Sequence, residues 1–224
     1  MPFKKIFRAA TKIISAPIKI ISKALSWLSP KVDVPDFGTT DFDDFEKGIL
    51  LNKQSNDASI PVIYGTRLVG GTRVFMETSG TDNTYLYMAI VLSEGEINGI
   101  TEIRVDDKVV TFASSLADNT AVEVGSSDSN FYKNSASLIR LEPHFGSDGQ
   151  SASSLLSTLS SWGSNHKLSG LAYLAIRFTW NQDAFTGIPK VQAKVQGRKI
   201  VTLNSSLVES SATFSANPAF CLLD

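Results

Sequence analysis

The residues with the widest chemical repertoire in this sequence are two histidines, His144 and His166. Each lies beside a turn-forming residue, His144 after Pro143 and His166 after Asn165. An imidazole ligates a metal or serves as a general base when it has a second ligand or a paired carboxylate, and the sequence places neither at a diagnostic spacing. We therefore expect both histidines to be structural and predict no metal site.

The sequence also lacks the patterns that activate a nucleophile or bind a phosphate. Serine is common, but no Gly-x-Ser-x-Gly elbow singles one out, and Cys221 is the only cysteine. The pair Gly70-Gly71 lies between two β-type runs rather than between a strand and a helix, which favours a tight turn or bulge over a phosphate cradle. The sequence thus predicts a protein that is not an enzyme, with no catalytic residue and no cofactor.

The N-terminal segment has the strongest charge asymmetry of the chain. Residues 1–31 carry seven of the 21 basic side chains and no acidic one. On a helix of about 100° per residue, most of these basic side chains fall within one arc of roughly 120°. This predicted basic face consists of Lys4, Lys5, Arg8, Lys12, Lys19 and Lys23. The opposite half is apolar, and its predicted partner-docking residues are Ile6, Ile13, Ile14, Ile21, Leu25 and Leu28. The pattern predicts an amphipathic helix, which Pro17 should kink.

Such a helix needs a surface that covers its apolar face. Nucleic acid is disfavoured, because Phe3, Phe7 and Trp27 lie on the apolar face rather than among the lysines. The lysines interrupt the apolar run, which argues against a signal peptide, and no run is long enough to span a bilayer. A protein partner is the favoured interpretation, and a membrane surface remains the alternative.

From about residue 60 onwards the hydrophobic period becomes that of β-strands. Residues 60–64, 66–76 and 84–92 are rich in β-branched and aromatic side chains. Residues 85–92 and the centre of 168–180 are apolar on both alternating faces, which is typical of strands covered on two sides. The run 190–196 alternates, so we expect its apolar members to face inward; they are Val191, Ala193 and Val195.

Turns and one short helix complete the predicted body. Asp106-Asp107 should form the tight turn of a hairpin between residues 100–105 and 108–112. The polar, serine-rich residues 113–135 indicate a surface excursion. Asp148 is expected to cap a short helix near residues 150–161 that covers an open end of the sheet.

Together these patterns define the fold class and the domain organisation. With 224 residues and 42% hydrophobic content, the chain can bury one substantial core. We predict a mainly β fold, barrel-like or sandwich-like, with one short helix and the N-terminal amphipathic helix, so α+β by content. The predicted parts are a basic helical arm over residues 1–31, an acidic linker over 32–59 and a β-rich domain over 60–224. Six of the seven linker acids lie between residues 33 and 46, namely Asp33, Asp36, Asp41, Asp43, Asp44 and Glu46.

The β-rich part also carries a series of motifs spaced along its length. In order they are Ile60-Pro-Val-Ile-Tyr-Gly65 with Arg67-Leu-Val-Gly-Gly71, Ser93-Glu-Gly-Glu-Ile97 with Gly99-Ile100 and Ile103, Gly146-Ser-Asp-Gly-Gln150, Trp162 with His166-Lys-Leu-Ser-Gly-Leu-Ala-Tyr173, Phe185 with Gly187-Ile-Pro189, Gly197-Arg-Lys199, and Asn217-Pro218-Ala219. In this order they resemble the N-terminal part of the central tail hub proteins, or tip attachment proteins, of long-tailed (siphovirus-type) phages. The resemblance covers roughly residues 60–224 and leaves the basic arm outside it.

The resemblance implies a structural virion protein at the distal end of the phage tail. There it would form a homo-oligomer, and the resemblance implies a trimer. This trimer would close the tail tube and join the distal tail protein and the tape-measure protein to the host-attachment apparatus. Other tail-tip proteins would be neighbours, and nucleic acid would be met only as the genome passes through the lumen. Proteins of this family are much longer, so we expect the domain to continue in a longer protein. The alternative is a membrane-active tail component whose N-terminal helix acts at the host envelope during genome delivery.

Overall fold

The computed structural model describes Asn52, residues 59–203 and residues 209–222. The predicted helical arm, with its basic and docking faces, and nearly all of the acidic linker lie outside the described residues. The described body consists of β-strands joined by loops, with one four-residue helix, α1 (Pro218–Cys221). The prediction of a mainly β body is therefore confirmed.

Two antiparallel sheets make up the body. The first sheet contains β1 (Thr66–Val69), β4 (Ile97–Val105), β5 (Lys108–Val109), β11 (Val191–Ile200) and β12 (Thr213–Phe214). Its order is β1-β11-β4-β5, and β12 also pairs with β11. The second sheet contains β2 (Thr72–Ser79), β3 (Tyr85–Glu94), β6 (Val122–Glu123), β9 (Ile139–Phe145) and β10 (Leu171–Thr179), in the order β2-β3-β10-β9-β6. A small hairpin joins β7 (Tyr132–Lys133) to β8 (Ala136–Ser137).

The main hydrophobic core contains apolar side chains from both sheets. Alternate residues of β3, among them Leu86, Met88 and Ile90, belong to the same buried cluster as residues of β4 and β11. The predicted inward-facing residues Val191, Ala193 and Val195 are all buried in it. Burial of apolar surface contributes about 25 cal/mol per Å² to the free energy of folding. Burial of this shared core is therefore the main interaction that holds the two sheets together.

A second apolar cluster lies on the other face of the second sheet. Tyr87, Ala89 and Val91 of β3 and Tyr173 and Ala175 of β10 contact apolar side chains of the connection between β9 and β10. These side chains are Leu155, Leu156, Leu159 and Trp162. Strands β3 and β10 are therefore buried on both faces, as their continuous apolar sequences predict.

The predicted short helix has the expected position in the sequence, but its form and the part of the sheet that it covers differ from the prediction. Its only helical part is a 3-10 turn over Leu156–Thr158, and no side chain caps it, so Asp148 does not act as its cap. Serine and threonine hydroxyls donate hydrogen bonds to backbone carbonyls of the segment instead. Ser157 donates to Ser153 O at 2.7 Å, and Thr158 donates to Leu155 O at 2.9 Å. The segment covers a face of the second sheet rather than an open end.

The prediction for residues 113–135 is also partly wrong, because this stretch contributes to the core. Val122, Val124 and Phe131 are buried in the main cluster, and the Phe131 ring stacks on Phe185 with centroids 5.8 Å apart. The buried Asp128 carboxylate organises the loop by accepting from the backbone N–H groups of Thr111, Asn130 and Phe131 at 2.7–3.0 Å. The composition of this stretch does not reveal its buried residues, because most of its residues are polar.

Most predicted runs contain a strand, but several boundaries differ; for example, β5 ends at Val109 rather than at residue 112. The hairpin is confirmed: Val105 pairs with Lys108, and Asp106 and Asp107 both have positive φ, as a type I′ turn requires. The predicted run 66–76 divides at Gly70-Gly71 into β1 and β2, which belong to different sheets. Residues 60–64 form no regular strand, although Ile63 O accepts from Arg198 N at 2.7 Å.

Candidate functional site

The motifs that carry the resemblance lie far apart in sequence but contact one another in space. The first motif meets the glycine motif of β11, where Gly197 N donates to Gly65 O at 2.7 Å. It also meets the second motif, where Ile63 N donates to Ser93 Oγ at 3.2 Å. These residues therefore fix the stretch that leads into β1, which we call the entering chain, against β11 and the end of β3.

Gly197 permits the closest of these approaches. A Cβ built on Gly197 would lie 2.0 Å from the carbonyl oxygen of Ile63, far inside van der Waals contact. Any larger residue would push the entering chain off β11. The motif glycine is thus explained by packing rather than by a ligand.

A second pair of motifs is joined by the side chain of Gln150, which is 2% exposed. Its Oε1 accepts from Gly146 N at 3.1 Å. Its Nε2 donates to the carbonyls of Lys167 and Leu171, both at 3.0 Å, and to that of Leu168 at 2.5 Å. We call residues 146–170 the covering segment, because the apolar side chains of these residues cover the second sheet. Gln150 therefore joins the two ends of the covering segment.

Four of the motifs meet around a polar cleft of about 520 Å³. The cleft is lined by Glu94, Gly95, Glu96, Gly146, Asp148, Gly170, Arg198, Lys199 and Ala212. Gly95 N donates to Gly170 O at 2.8 Å across its floor, and Lys199 Nζ lies 2.5 Å from Glu96 Oε1. Ligand pockets are mostly apolar, so this charged lining suits contact with a polar protein surface better than an enclosed small molecule.

A buried carboxylate holds the covering segment against the sheet. Glu142 of β9 is 2% exposed. Its Oε2 accepts from Leu155 N and Ser153 Oγ, both at 2.8 Å, and from Ser154 Oγ at 3.0 Å. Its Oε1 accepts from Ser154 N at 3.1 Å. Residues 153–155 of the covering segment are therefore fixed by one side chain of the sheet beneath them.

His144, also on β9, completes this buried group. Its Nε2 lies 3.5 Å from Glu142 Oε1, and its ring stacks on Tyr173 with centroids 4.2 Å apart and an interplanar angle of 4°. Burial by itself would raise the pKa of Glu142, but its contacts with His144, Leu155 N, Ser153 and Ser154 hold the pKa at about 2. Burial raises the pKa of Tyr173. Glu142 is therefore ionised at neutral pH.

The expectation that neither histidine has a carboxylate partner is wrong for His144. Residues i and i+2 of a strand share a face, so the Glu142-Pro143-His144 spacing is the sequence signal that places the two side chains together. The side chains of Glu142 and His144 are both buried beneath the covering segment. His166 lies elsewhere, on the exposed side of the covering segment, where its ring is 5.1 Å from that of Trp162.

Other features bear on binding chemistry. Within residues 59–203 and 209–222, no three His, Cys, Asp or Glu side chains converge as metal ligands would. In the same part of the chain, no helix has the length and apolar character needed to cross a membrane. The predicted docking and basic faces of residues 1–31 lie outside the described residues, so their contacts stay a prediction.

Comparison with known proteins gives one informative sequence similarity. The chain is 25% identical to the baseplate hub protein pb3 of Escherichia phage T5, over 74% of this chain and 21% of that protein. It therefore spans about a fifth of the length of this relative. No protein-family model matches the chain. The predicted resemblance to tail hub proteins is confirmed by this similarity.

The chain also has a weak likeness to solved structures. One example is a chain from the virion of the native gene transfer agent particle, aligned over 66% of this chain and 29% of that chain. The sequence identity is 17% and the TM-score is 0.43. This likeness is too weak to support an inference about fold or function.

Proposed function

Because the chain is similar in sequence to a phage baseplate hub protein, we propose that it is the N-terminal part of a tail-tip central hub. In this role it is a structural virion protein that closes the distal end of the tail tube. The sequence similarity over 74% of the chain is the observation that carries the proposal. It also supports a location in the virion, at the distal end of the phage tail.

The described fold suits a rigid ring segment. Two sheets share one continuous core, and the motif contacts tie the entering chain, the covering segment and β11 together. The polar cleft then offers a charged surface for a neighbouring tail protein. Such a body transmits position between partners without needing a moving active site.

The proposed assembly is a homotrimer around the tail axis. Its proposed neighbours are the distal tail protein above, the tape-measure protein inside the tube and other tail-tip proteins below. Genomic nucleic acid would meet the hub only on its passage through the lumen. Native mass measurement of isolated tail tips tests the stoichiometry: three copies per tail support the proposal and a single copy contradicts it.

The N-terminal arm is proposed to dock its apolar face against these neighbours. Leaving several large apolar side chains in water would forgo roughly 1.5 to 3 kcal/mol each, so the face requires a cover. Replacement Ile13→Asp with Ile21→Asp should abolish tail assembly. Charge reversal at Lys12 and Lys19 should weaken it only modestly, because exposed ion pairs contribute about 0 to 1 kcal/mol each.

The alternative function, a membrane-active tail component, gives the opposite outcome in the same experiment. Particles with the two isoleucine replacements would assemble normally and fail only at genome delivery. The peptide of residues 1–31 would also bind anionic liposomes in a salt-sensitive way. Normal assembly of these particles would replace docking by the membrane function.

We also propose that the chain is not an enzyme. His144 is buried beside a carboxylate that is committed to four hydrogen bonds, and His166 accepts from Gly163 N and lies beside the Trp162 ring, both within the covering segment. Loss of peptidoglycan cleavage by tails that carry His144→Ala or His166→Ala, with tail assembly intact, would contradict this.

A further inference from the structure

One row of side chains runs from edge to edge across the second sheet, on the face that carries the second apolar cluster. Backbone register pairs Glu77 with Tyr87, Tyr87 with Arg177, Arg177 with Arg140, and Arg140 with Glu123. Directly paired residues of neighbouring strands share a face. The row therefore has an acid at each edge and two arginines side by side at its centre.

The two central arginines have little compensation among the described residues. Arg140 Nη1 lies 3.6 Å from Glu123 Oε1, and both of these side chains are 42–50% exposed. The Arg177 guanidinium lies 5.1 Å from the centre of the Tyr85 ring. The Nε atoms of both arginines are buried and have no hydrogen-bond partner in the described part of the chain.

An anion between the arginines would offset the repulsion between them. Like charges on directly paired positions destabilise a sheet, because their Cβ atoms are only about 4.5–5.5 Å apart. Buried donors without a partner add a further penalty. A carboxylate placed against both guanidinium groups removes both problems, since each arginine presents a fork of donors that matches a carboxylate.

We propose that the Arg140–Arg177 pair is a docking site for an acidic peptide segment, and that its occupant is the acidic linker of this chain. The linker supplies six carboxylates between residues 33 and 46, namely Asp33, Asp36, Asp41, Asp43, Asp44 and Glu46. The linker of the same copy and that of a neighbouring copy in an oligomer present the same chemistry to the pair. The site lies apart from the polar cleft and is independent of the proposed hub function.

Charge around the pair favours a peptide over nucleic acid. Glu77 and Glu123 stand at the two ends of the row, where a phosphate backbone that crossed the sheet would meet them. The formal net charge of the whole chain is −1, and all 22 acidic side chains lie beyond residue 31. A short run of carboxylates fits between the flanking acids, whereas a long polyanion is repelled by them.

The sign of a stability change in the full-length chain tests occupancy. If the acidic linker occupies the pair, Arg177→Gln removes an attraction and should lower the melting temperature by about 2–4 °C. If the pair is empty, the same replacement relieves repulsion and should raise it. Arg67→Gln, in the exposed part of β1, is the matched control and should leave the melting temperature unchanged within error.

Neutralisation of the linker identifies the occupant. The variant with Asp33, Asp36, Asp41, Asp43 and Asp44 changed to Asn and Glu46→Gln should lower the melting temperature as Arg177→Gln does. Combination of the two changes should add little, because both remove one contact. Additive effects would overturn the assignment of the linker as occupant.

A binding measurement separates the two classes of polyanion. A labelled peptide of residues 32–47, added to the full-length chain with the neutralised linker, should bind, and Arg177→Gln should weaken this binding at least tenfold. Single-stranded DNA of equal charge should bind more weakly than the peptide. Preference for the DNA, or no binding of the peptide together with a raised melting temperature of Arg177→Gln, would overturn the proposal.

Discussion

At the residue scale, the covering segment depends on one carboxylate. Glu142 accepts hydrogen bonds from two backbone N–H groups and two hydroxyls of residues 153–155. Removal of a buried acceptor leaves its donors unpaired, which costs more than the net value of the bonds themselves. Glu142 therefore matters more to the fold than its single charge suggests.

Replacement of this carboxylate should destabilise the body strongly. We expect Glu142→Ala to lower the free energy of unfolding by about 3 to 5 kcal/mol, because it leaves four donors and His144 without their partner. Urea denaturation of the full-length chain measures this. Glu102→Ala is the matched control on β4, since its carboxylate bonds only to Arg104 at a partly exposed position. A loss at Glu142 no larger than at Glu102 would contradict the account.

The same carboxylate predicts a pH dependence. The pKa of Glu142 is lowered from its ordinary value of 4.5 to about 2 in the folded protein. Because the folded-state pKa is the lower one, its contribution to stability is complete above about pH 4.5 and is lost as the pH falls towards 2. Glu142→Gln should lack this part of the pH dependence. Equal acid sensitivity of the two proteins between pH 4.5 and 2 would show that Glu142 is not the titrating group.

Gly197 provides a steric test of the motif contacts. Gly197→Ala should lower stability by about 2 to 3 kcal/mol, because the new methyl group would meet Ile63 O at 2.0 Å. Gly149→Ala is the control, since a Cβ there meets nothing within 4 Å. Thermal denaturation compares the two variants. Similar melting temperatures would mean that residues 60–65 do not pack on β11 as described.

At the scale of elements, the covering segment is an irregular stretch whose stability comes from the sheet beneath it. Leu156→Ala should destabilise the protein by about 2 to 5 kcal/mol, because Leu156 is fully buried in the second apolar cluster. Hydrogen exchange should show faster exchange in residues 151–168 before the strands respond. Leu222→Ala, at an 87% exposed position, is the control and should change stability by less than about 0.5 kcal/mol. Uniform acceleration across both sheets would argue that the segment and the sheets unfold as one unit.

The elements that sequence predicts well are those whose pattern is complete within one stretch. Strands β3 and β10 are apolar on both faces, and Asp106-Asp107 has the local chemistry of a tight turn, so each was identifiable alone. The segment near residue 155 is different, because its pattern resembles that of a helix. Its apolar residues, at three- and four-residue spacing, pack on a face of the sheet, and Ser157 donates to a local backbone carbonyl instead of continuing a helix.

The contacts of the site were less accessible to sequence reasoning. The bonds of Glu142 to residues 153–155 and those of Gln150 to residues 167–171 join segments whose approach only the tertiary fold defines. The arginine pair depends on strand register, because Arg140 and Arg177 meet only when β9 and β10 are aligned. The motif order, by contrast, was readable, and it indicated the tail hub resemblance.

At the scale of the whole molecule, the proposed hub consists of a rigid β body with charged surfaces and a basic arm. The body supplies the polar cleft and the arginine pair, and the predicted helical arm would supply an apolar face that requires a cover. These three surfaces differ in chemistry, so each can contact a different neighbour in an oligomeric ring. We therefore expect that variants of the polar cleft, of the arginine pair and of the arm each affect a different contact.

The position of the chain in an intact particle tests the central claim most directly. A cryo-electron microscopy reconstruction of the tail of a phage that encodes this chain should place a two-sheet domain, matching residues 60–203, at the distal end of the tail tube in three symmetry-related copies. Absence of the chain from purified particles, or its location away from the tail end, would contradict the account.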